Sequence, residues 1–373
     1  MKTHPDTPIW HPPPPPRGIS NLLPPEVQRI SHWNDPHELR VNNWLTAWDF
    51  NSPIDVGVIT VPSSKTSIKH NGAFAATNAL LESFVVNTTY SPDYDVDIAS
   101  LRARYVGDVA VPGLEPARGL LQIEETLLSC FQQPEAFFPI VLGGDHAVTA
   151  PSIRAFCRAH PDMRVGIVHF DAHNDVRVLD HGPTNGTPIR QVLQSGLNVS
   201  GSNLVQVGIH GFMNASYYKR WVEAQGGTIF TARQCRRQGM DAVIEQAIAI
   251  AGSHTDAIYV TVDIDVLELG YAPGTPAATA EGIHPVDLFD ALFALGQQEQ
   301  VAAIDFVELD PYRDVAQITT RTFGTAMLTF MAGLFLRKNE GWRGYDTTPL
   351  GVDSQAVLTR DDLLNTGMES PAL

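Results

Sequence analysis

With 41 acidic against 25 basic side chains in 373 residues, the chain carries a formal net charge of −16 at pH 7, which argues against nucleic acid and anionic membrane as partners and suits a cationic small molecule, solubility alone being the plainer alternative. Hydrophobic residues at 43% and charged residues at 18% exclude a disordered chain and fit one large α/β domain or two smaller ones. Cys130, Cys157 and Cys235 form no CxxC pair, so neither a disulfide framework nor a zinc ribbon is indicated and a cytoplasmic, reducing setting is expected.

Met1-Lys2-Thr3-His4-Pro5 lacks the apolar run of a secretory signal. Residues 1–53, with consecutive prolines from Pro12 to Pro16 and a pair at Pro24-Pro25, are expected to form a Pro-rich N-terminal arm of polyproline character. An arm packed on a neighbouring subunit and a loose tail are both open; Trp10, Trp33, Trp44 and Trp48 favour the ordered form, because tryptophans need a surface to pack on. From 54 to 337 strand and helix signals alternate. Strands are expected over 56–61, 137–142, 165–170, 205–209, 228–230, 257–264 and 301–307, and helices over 73–84, 120–131, 149–160, 215–225, 241–251 and 285–295. The apolar stretch 323–336 is too short for a membrane span and reads as a buried helix. Residues 338–373 read as a polar C-terminal tail. Such alternation gives an α/β fold with a mostly parallel sheet covered on both faces.

Polar clusters fall where strands end. Gly143-Gly144-Asp145-His146 follows one apolar run, Asp171-Ala172-His173-Asn174-Asp175 a second, and Asp263-Ile264-Asp265 closes a third. In an extended backbone Asp171, His173 and Asp175 would project to one face, at the strand ends where open sheets build sites. The alternatives are a solvated turn for this motif, a helix cap for His146 and N-cap roles for Asp263 and Asp265. Four aspartates brought together would repel and take up protons, whereas two divalent cations would balance them. Aspartate oxygens with a minority of imidazoles suit Mn2+, with Ni2+ and Co2+ open. Two such ions about 3.5–4 Å apart lower the pKa of a bridging water, and the chemistry implied is hydrolysis.

Together with Phe306-Val307-Glu308-Leu309-Asp310-Pro311, these motifs resemble the four signatures of the ureohydrolases, the family of arginase, agmatinase, formimidoylglutamase and the guanidine and guanidino-acid hydrolases, in the same order across residues 56–336. The resemblance implies a three-layer α/β/α sandwich (arginase-like), a dimanganese or in some members nickel centre, a trimer or hexamer, and attack of a metal-bridging hydroxide on an amidine or guanidine C–N bond with release of formamide or urea. It implies that His146, Asp171, Asp175 and Asp265 hold one or both metals and that His173 and Asp263 complete the pair. Asp175 would also hydrogen-bond the nucleophile and pass a proton to the departing amine. Glu308 would pair with the planar amidinium, since a carboxylate matches two parallel N–H donors; a helix-cap role before Pro311 is its alternative.

Substrate identity rests on departures within that resemblance. Asn185 stands before Gly186-Thr187-Pro188 where agmatinase-like members carry a histidine, and Ala272-Pro273-Gly274-Thr275-Pro276-Ala277 departs from the agmatinase PGTGTP run. The 183–190 segment, Arg177, Gly208-Ile209-His210-Gly211-Phe212-Met213-Asn214 and Ser63-Ser64-Lys65-Thr66-Ser67-Ile68 resemble formimidoylglutamase. The expected substrate-binding residues are Arg177, Asn185 and Glu308. Arg177 would grip a substrate carboxylate with its planar fork or serve in a structural ion pair. A guanidine, guanidino-acid or biguanide hydrolase is the alternative, because Asn185 and Glu268-Leu269-Gly270 would reshape the pocket. A non-catalytic subunit assembled with an active paralogue is another, against which the presence of all six ligands counts.

Overall fold

The computed structural model describes residues 15–25, 30–32, 35, 37–111, 113 and 115–339. Its principal strands are β1 (Val56–Thr60), β2 (Ala103–Val109), β3 (Phe138–Leu142), β4 (Val165–Phe170), β5 (Val199–Ile209), β6 (Thr228–Thr231), β7 (Ala257–Asp263) and β8 (Val301–Val307). They pair in the order β2-β1-β3-β8-β7-β4-β5-β6, each parallel to its neighbours. Parallel strands need crossovers, and these are supplied by α1 (Ala76–Ser83), α2 (Pro116–Phe131), α3 (Thr149–Ala159), α4 (Pro188–Leu193), α5 (Ser216–Ala224), α6 (Ala232–Gln238), α7 (Met240–Ala251) and α8 (Pro285–Gln297), while α9 (Ile318–Lys338) follows the last strand.

Because β1, β3, β4 and β7 are buried along their whole length, their sequences run apolar without alternation. Alternate strand residues serve opposite layers. Val58, Ile140, Val168, Val260 and Phe306 join a core with α1, α7, α8 and α9, while Ile167, Tyr259 and Ala303 join one with α3, α4 and α5. A further cluster packs α2, Ala147, Val148 and Ala155 against Ile59, Val61 and Val141. The result is the three-layer α/β/α sandwich expected. The 323–336 stretch lies within α9, which is apolar all round because it is buried between α8 and the sheet. Gly296 and Gly333 let α8 and α9 cross closely: a Cβ on Gly333 would sit 2.2 Å from the carbonyl oxygen of Phe293. Among the described residues no helix is long and apolar enough to cross a membrane.

Described stretches of residues 15–53 pack on this chain's own sheet. Leu22–Leu23 pairs antiparallel with β2, opposite Val109 and Asp108, and Thr46–Ala47 pairs parallel with it. Trp44 and Trp48 are buried, and the Trp44 indole N–H donates to the carbonyls of Ala99 and Leu101, each at 3.1 Å. Trp10, Trp33, the prolines before Pro15, and the tail from residue 340 onward lie outside the described residues.

Candidate active site

Four adjacent strands of the sheet, β3, β8, β7 and β4, end at the same edge, and their ends carry the polar motifs. After β3 the chain turns at Gly143-Gly144, where a Cβ on Gly144 would fall 1.7 Å from the Ser63 carbonyl oxygen. Only glycine permits that approach. Asp145 then accepts hydrogen bonds from the Thr66 N–H (3.2 Å) and hydroxyl (3.1 Å) and from the Ala147 N–H (3.1 Å), which fixes the turn presenting His146. Burial pushes the Asp145 carboxyl up to about 7.

The 171–175 motif does not continue the strand, contrary to the expectation of an extended face. β4 ends at Phe170, Asp171 folds back to accept the His173 N–H at 2.5 Å, and Asp175 adopts a left-handed backbone with φ +50°. A turn, not alternation, gathers the three side chains.

His146 Nδ1 lies 3.1 Å from Asp171 Oδ2, 3.0 Å from Asp175 Oδ2 and 3.2 Å from Asp263 Oδ2. It is buried and makes no hydrogen bond. Ligands at right angles on an ion with bonds of about 2.1 Å stand about 3.0 Å apart, so this nitrogen and three oxygens have the spacing of a coordination sphere. A second group forms where His173 Nδ1 lies 3.2 Å from Asp171 Oδ1 and 3.1 Å from Asp265 Oδ2. Asp171 thus gives one oxygen to each group. Asp265 sits with His173, and Asp263 with His146. The Asp265 carboxylate also accepts the Ala172 N–H, and that of Asp263 the Asp265 N–H.

Electrostatics follow from crowding. Burial works against the charge on His146 and His173, yet the surrounding carboxylates outweigh it: the His146 pKa stands well above its ordinary value, and that of His173 is raised to about 12. Burial also works against the Asp171 carboxylate, but the adjacent His146, His169 and His173 hold its pKa well below the usual range. Burial, and then neighbouring aspartates, raise Asp175 and Asp263.

Glu308 follows β8 with φ +68° and is 2% exposed. Its Oε1 accepts the His146 N–H at 2.8 Å and Asn185 Nδ2 at 2.9 Å, and its Oε2 accepts Asn71 Nδ2 at 2.5 Å. One lone pair, on Oε2, is left for a ligand rather than the two of a full fork. Burial, reinforced by Asp145, pushes Glu308 up to about 8.

His173, Asp175, Asp263, Asp265 and Glu308 floor a cavity of about 100 Å³ whose walls include Ile68, Lys69, Arg177, Asn185, Met213 and Tyr218. Residues 54–333 match the model of the arginase family. The chain belongs to that family. It is 35% identical to formimidoylglutamase from Halalkalibacterium halodurans over 300 residues, 80% of this chain and 93% of that protein. The formimidoylglutamase structure from Bacillus subtilis superposes with a TM-score of 0.77 at 30% identity, over 82% of this chain and 95% of that one. A variant of the Trypanosoma cruzi formiminoglutamase with Mn2+2 gives a TM-score of 0.72 at 25% identity, over 80% and 99%. Family membership makes the chain a hydrolase of carbon–nitrogen bonds in linear amidines.

Within this arginase-family site Arg177 is exposed at the cavity mouth, its guanidinium carbon 5.9 Å from the centre of the Tyr218 ring, and its stem lies against Gly186, where a Cβ would come within 2.7 Å of Arg177 Cδ. It has no carboxylate partner among the described residues, so the structural ion pair is not formed. Asn185 is a brace: its carbonyl oxygen accepts the Ile68 N–H at 3.0 Å while its amide holds Glu308. Sequence reasoning missed Asn71, which reaches Glu308 from a loop pinned by Asp310 through the Gly72 N–H. It also missed the polar row Asp305, Thr261, His169 and Gln206, which stand side by side in register across β8, β7, β4 and β5. The signal was present in the sequence, since a lone polar residue in a buried apolar strand requires a partner. Thr261 Oγ1 lies 3.2 Å from His146 Nε2, the ring nitrogen turned away from the aspartates.

Proposed function

We propose that this chain hydrolyses the formimidoyl group of an amino-acid amidine, with formimidoylglutamate as the substrate, using two divalent cations, Mn2+ or Ni2+, that would be held by His146, Asp171, Asp175 and Asp263 on one side and by Asp171, His173 and Asp265 on the other. The carboxylate-rich donor set and the orphaned Nδ1 of buried His146 fit such ions. Bound there, the cations would supply Lewis acidity and a water of lowered pKa. The chain's own residues do the rest. Glu308 Oε2 takes one N–H of the amidine and turns its carbon toward the aspartates. Asp175, half-buried at the cavity, is the carboxylate placed to take a proton from the attacking water and pass it to the departing amine.

The observation that carries the substrate reading is Arg177, a guanidinium without a carboxylate partner among the described residues at the mouth of a cavity floored by carboxylates. That polarity matches a molecule cationic at one end and carboxylated at the other. The free, buried Cys130, Cys157 and Cys235 accord with a cytoplasmic setting, and the family resemblance points to a trimer or hexamer. The test is a panel on metal-reconstituted protein: N-formimidoylglutamate, guanidine, guanidino acids, agmatine, arginine and biguanides, with formamide and urea measured. Formamide from the first compound supports the reading. Urea from a guanidine compound with formimidoylglutamate untouched replaces it with the guanidine-hydrolase alternative, and a metal-free protein inert on every compound and bound to a paralogue replaces it with the non-catalytic one.

A further inference from the structure

His169 is buried in β4, two residues before Asp171, and its Nε2 lies 2.8 Å from Asp171 Oδ2, the oxygen that faces His146. Distance alone would admit it as a ligand, since it falls within the same cluster of donor atoms. Its other neighbours decide otherwise. Gln206 Nε2 lies 2.8 Å from the backbone carbonyl oxygen of Asn174 and 2.9 Å from His169 Nδ1, while Asn174 Nδ2 donates to Gln206 Oε1 at 2.8 Å.

A backbone carbonyl only accepts, so the atom of Gln206 facing Asn174 must be the NH2 group; the flipped amide would set two oxygens against each other. The second hydrogen of that NH2 then points at His169 Nδ1, which has to offer a lone pair. A proton on Nδ1 would confront a donor, so Nδ1 is the accepting nitrogen and the N–H of the ring that faces Asp171 is the one on Nε2. That N–H donates to Asp171 Oδ2.

We infer that His169 is a positioning residue: with its tautomer set by Gln206 and the Asn174 carbonyl, it donates to Asp171 Oδ2 and leaves that oxygen one lone pair, directed at the cation position beside His146. Neither ring nitrogen of His169 has a free lone pair, so it is no ligand. The same bond fixes the rotation of the Asp171 carboxylate, and so which oxygen serves which cation position. This inference rests on the two-cation reading above, which the unaltered protein tests separately: wild type binding fewer than two cations would overturn that reading whatever the variants do.

The experiment is Mn2+ titration of metal-stripped protein by calorimetry, with bound metal counted, on wild type, His169→Leu, His169→Gln and Gln206→Glu. Loss of an outer partner of a metal ligand weakens binding by about 10–100-fold. His169→Leu is expected to lose about that much at one of the two cations. His169→Gln, whose amide N–H can replace the Nε2–H, is expected to stay within about threefold of wild type. Gln206→Glu, which sets an acceptor against Nδ1, is expected to weaken the same cation with His169 intact. Wild-type affinity in His169→Leu, or equal loss in His169→Gln and His169→Leu, would overturn the inference. If His169→Leu does not fold, wild-type affinity in Gln206→Glu overturns it and weakened affinity supports it.

Discussion

Asn71 and Glu308 stand 237 positions apart in sequence and 2.5 Å apart in space, the amide of one donating to the carboxylate of the other. Asn71 also anchors its own loop, accepting the Ala73 N–H at 2.8 Å. Hydrogen bonds to charged groups contribute about 1.5–3 kcal/mol. Asn71→Ala is therefore expected to lower kcat/KM by about 10–100-fold, while the bound-metal count stays at the wild-type value because Asn71 touches none of the clustered histidines and aspartates. Steady-state kinetics beside metal analysis reads both. A lost metal would show that the loop supports the whole site, not Glu308 alone.

Arg177 and Gly186 yield a paired expectation. Removing the guanidinium in Arg177→Ala should raise KM for a carboxylated amidine by about 10–100-fold, the value of a charge-assisted pair, and leave turnover of an amidine without a carboxylate within about threefold. Arg177→Lys should recover only part, because a point charge lacks the planar fork. Gly186→Ala places a Cβ 2.7 Å from Arg177 Cδ and should act in the same direction by displacing the arginine. Equal losses on both substrates would assign Arg177 a structural role.

Stripping the cations should destabilise the fold. Asp171, Asp175, Asp263 and Asp265 crowd two histidines, and a ligand that binds only the folded state adds about 2.7 kcal/mol when present at a hundred times its Kd. Chelation should lower the thermal midpoint, Mn2+ should restore it, and Asp263→Asn, which weakens a candidate ligand beside His146, should shrink the difference between the two states. A midpoint indifferent to chelator would count against a resident metal.

Most of this site could be read in the sequence because its residues directly follow apolar runs. His146, Asp171, Asp263 and Glu308 come at or just beyond the ends of β3, β4, β7 and β8, where a run of valines and isoleucines gives way to charge. Asn71 was not legible, since it lies in a loop whose approach to Glu308 depends on tertiary contacts. β2 was missed for a local reason. Arg104, Gly107 and Asp108 break its apolar run; Gly107 adopts φ +150°, and the pairing with β1 slips between Val58 and Ile59. The alternate-face argument for Asp171, His173 and Asp175 groups three residues that the structure also gathers, but by a different geometry, because strand pairing stops at Phe170 and a turn follows.

The α8–α9 crossing offers a stability test away from the chemistry. Any side chain on Gly333 meets the Phe293 carbonyl oxygen at 2.2 Å and Gly296 Cα at 3.1 Å. Backbone cannot yield as a flexible side chain does, so Gly333→Val should cost about 1–3 kcal/mol by forcing the helices apart. Urea unfolding should show a lower midpoint with an unchanged m-value.

At the opposite margin of the sheet, Asp55 ties three elements together. Its carboxylate accepts from Arg102 Nε at 2.9 Å and Nη2 at 2.7 Å, from the Arg102 N–H at 2.9 Å, and from Lys338 Nζ at 3.0 Å, joining the starts of β1 and β2 to the end of α9. The Arg102 side chain is the main cause that holds the Asp55 pKa well below the carboxylate range. A folded-state pKa lying below the unfolded value of about 3.9 means that the stabilisation is complete above that value and is lost as pH falls toward the folded one. The cluster is partly exposed, so solvent screening limits the effect to about 1 kcal/mol. Urea midpoints of wild type and Asp55→Asn should therefore differ by a constant amount from pH 7 down to about pH 5, converge as pH drops below about 4, and coincide once Asp55 is protonated in the folded protein. A gap that persists unchanged at about pH 2 would mean that Asp55 acts through packing rather than charge.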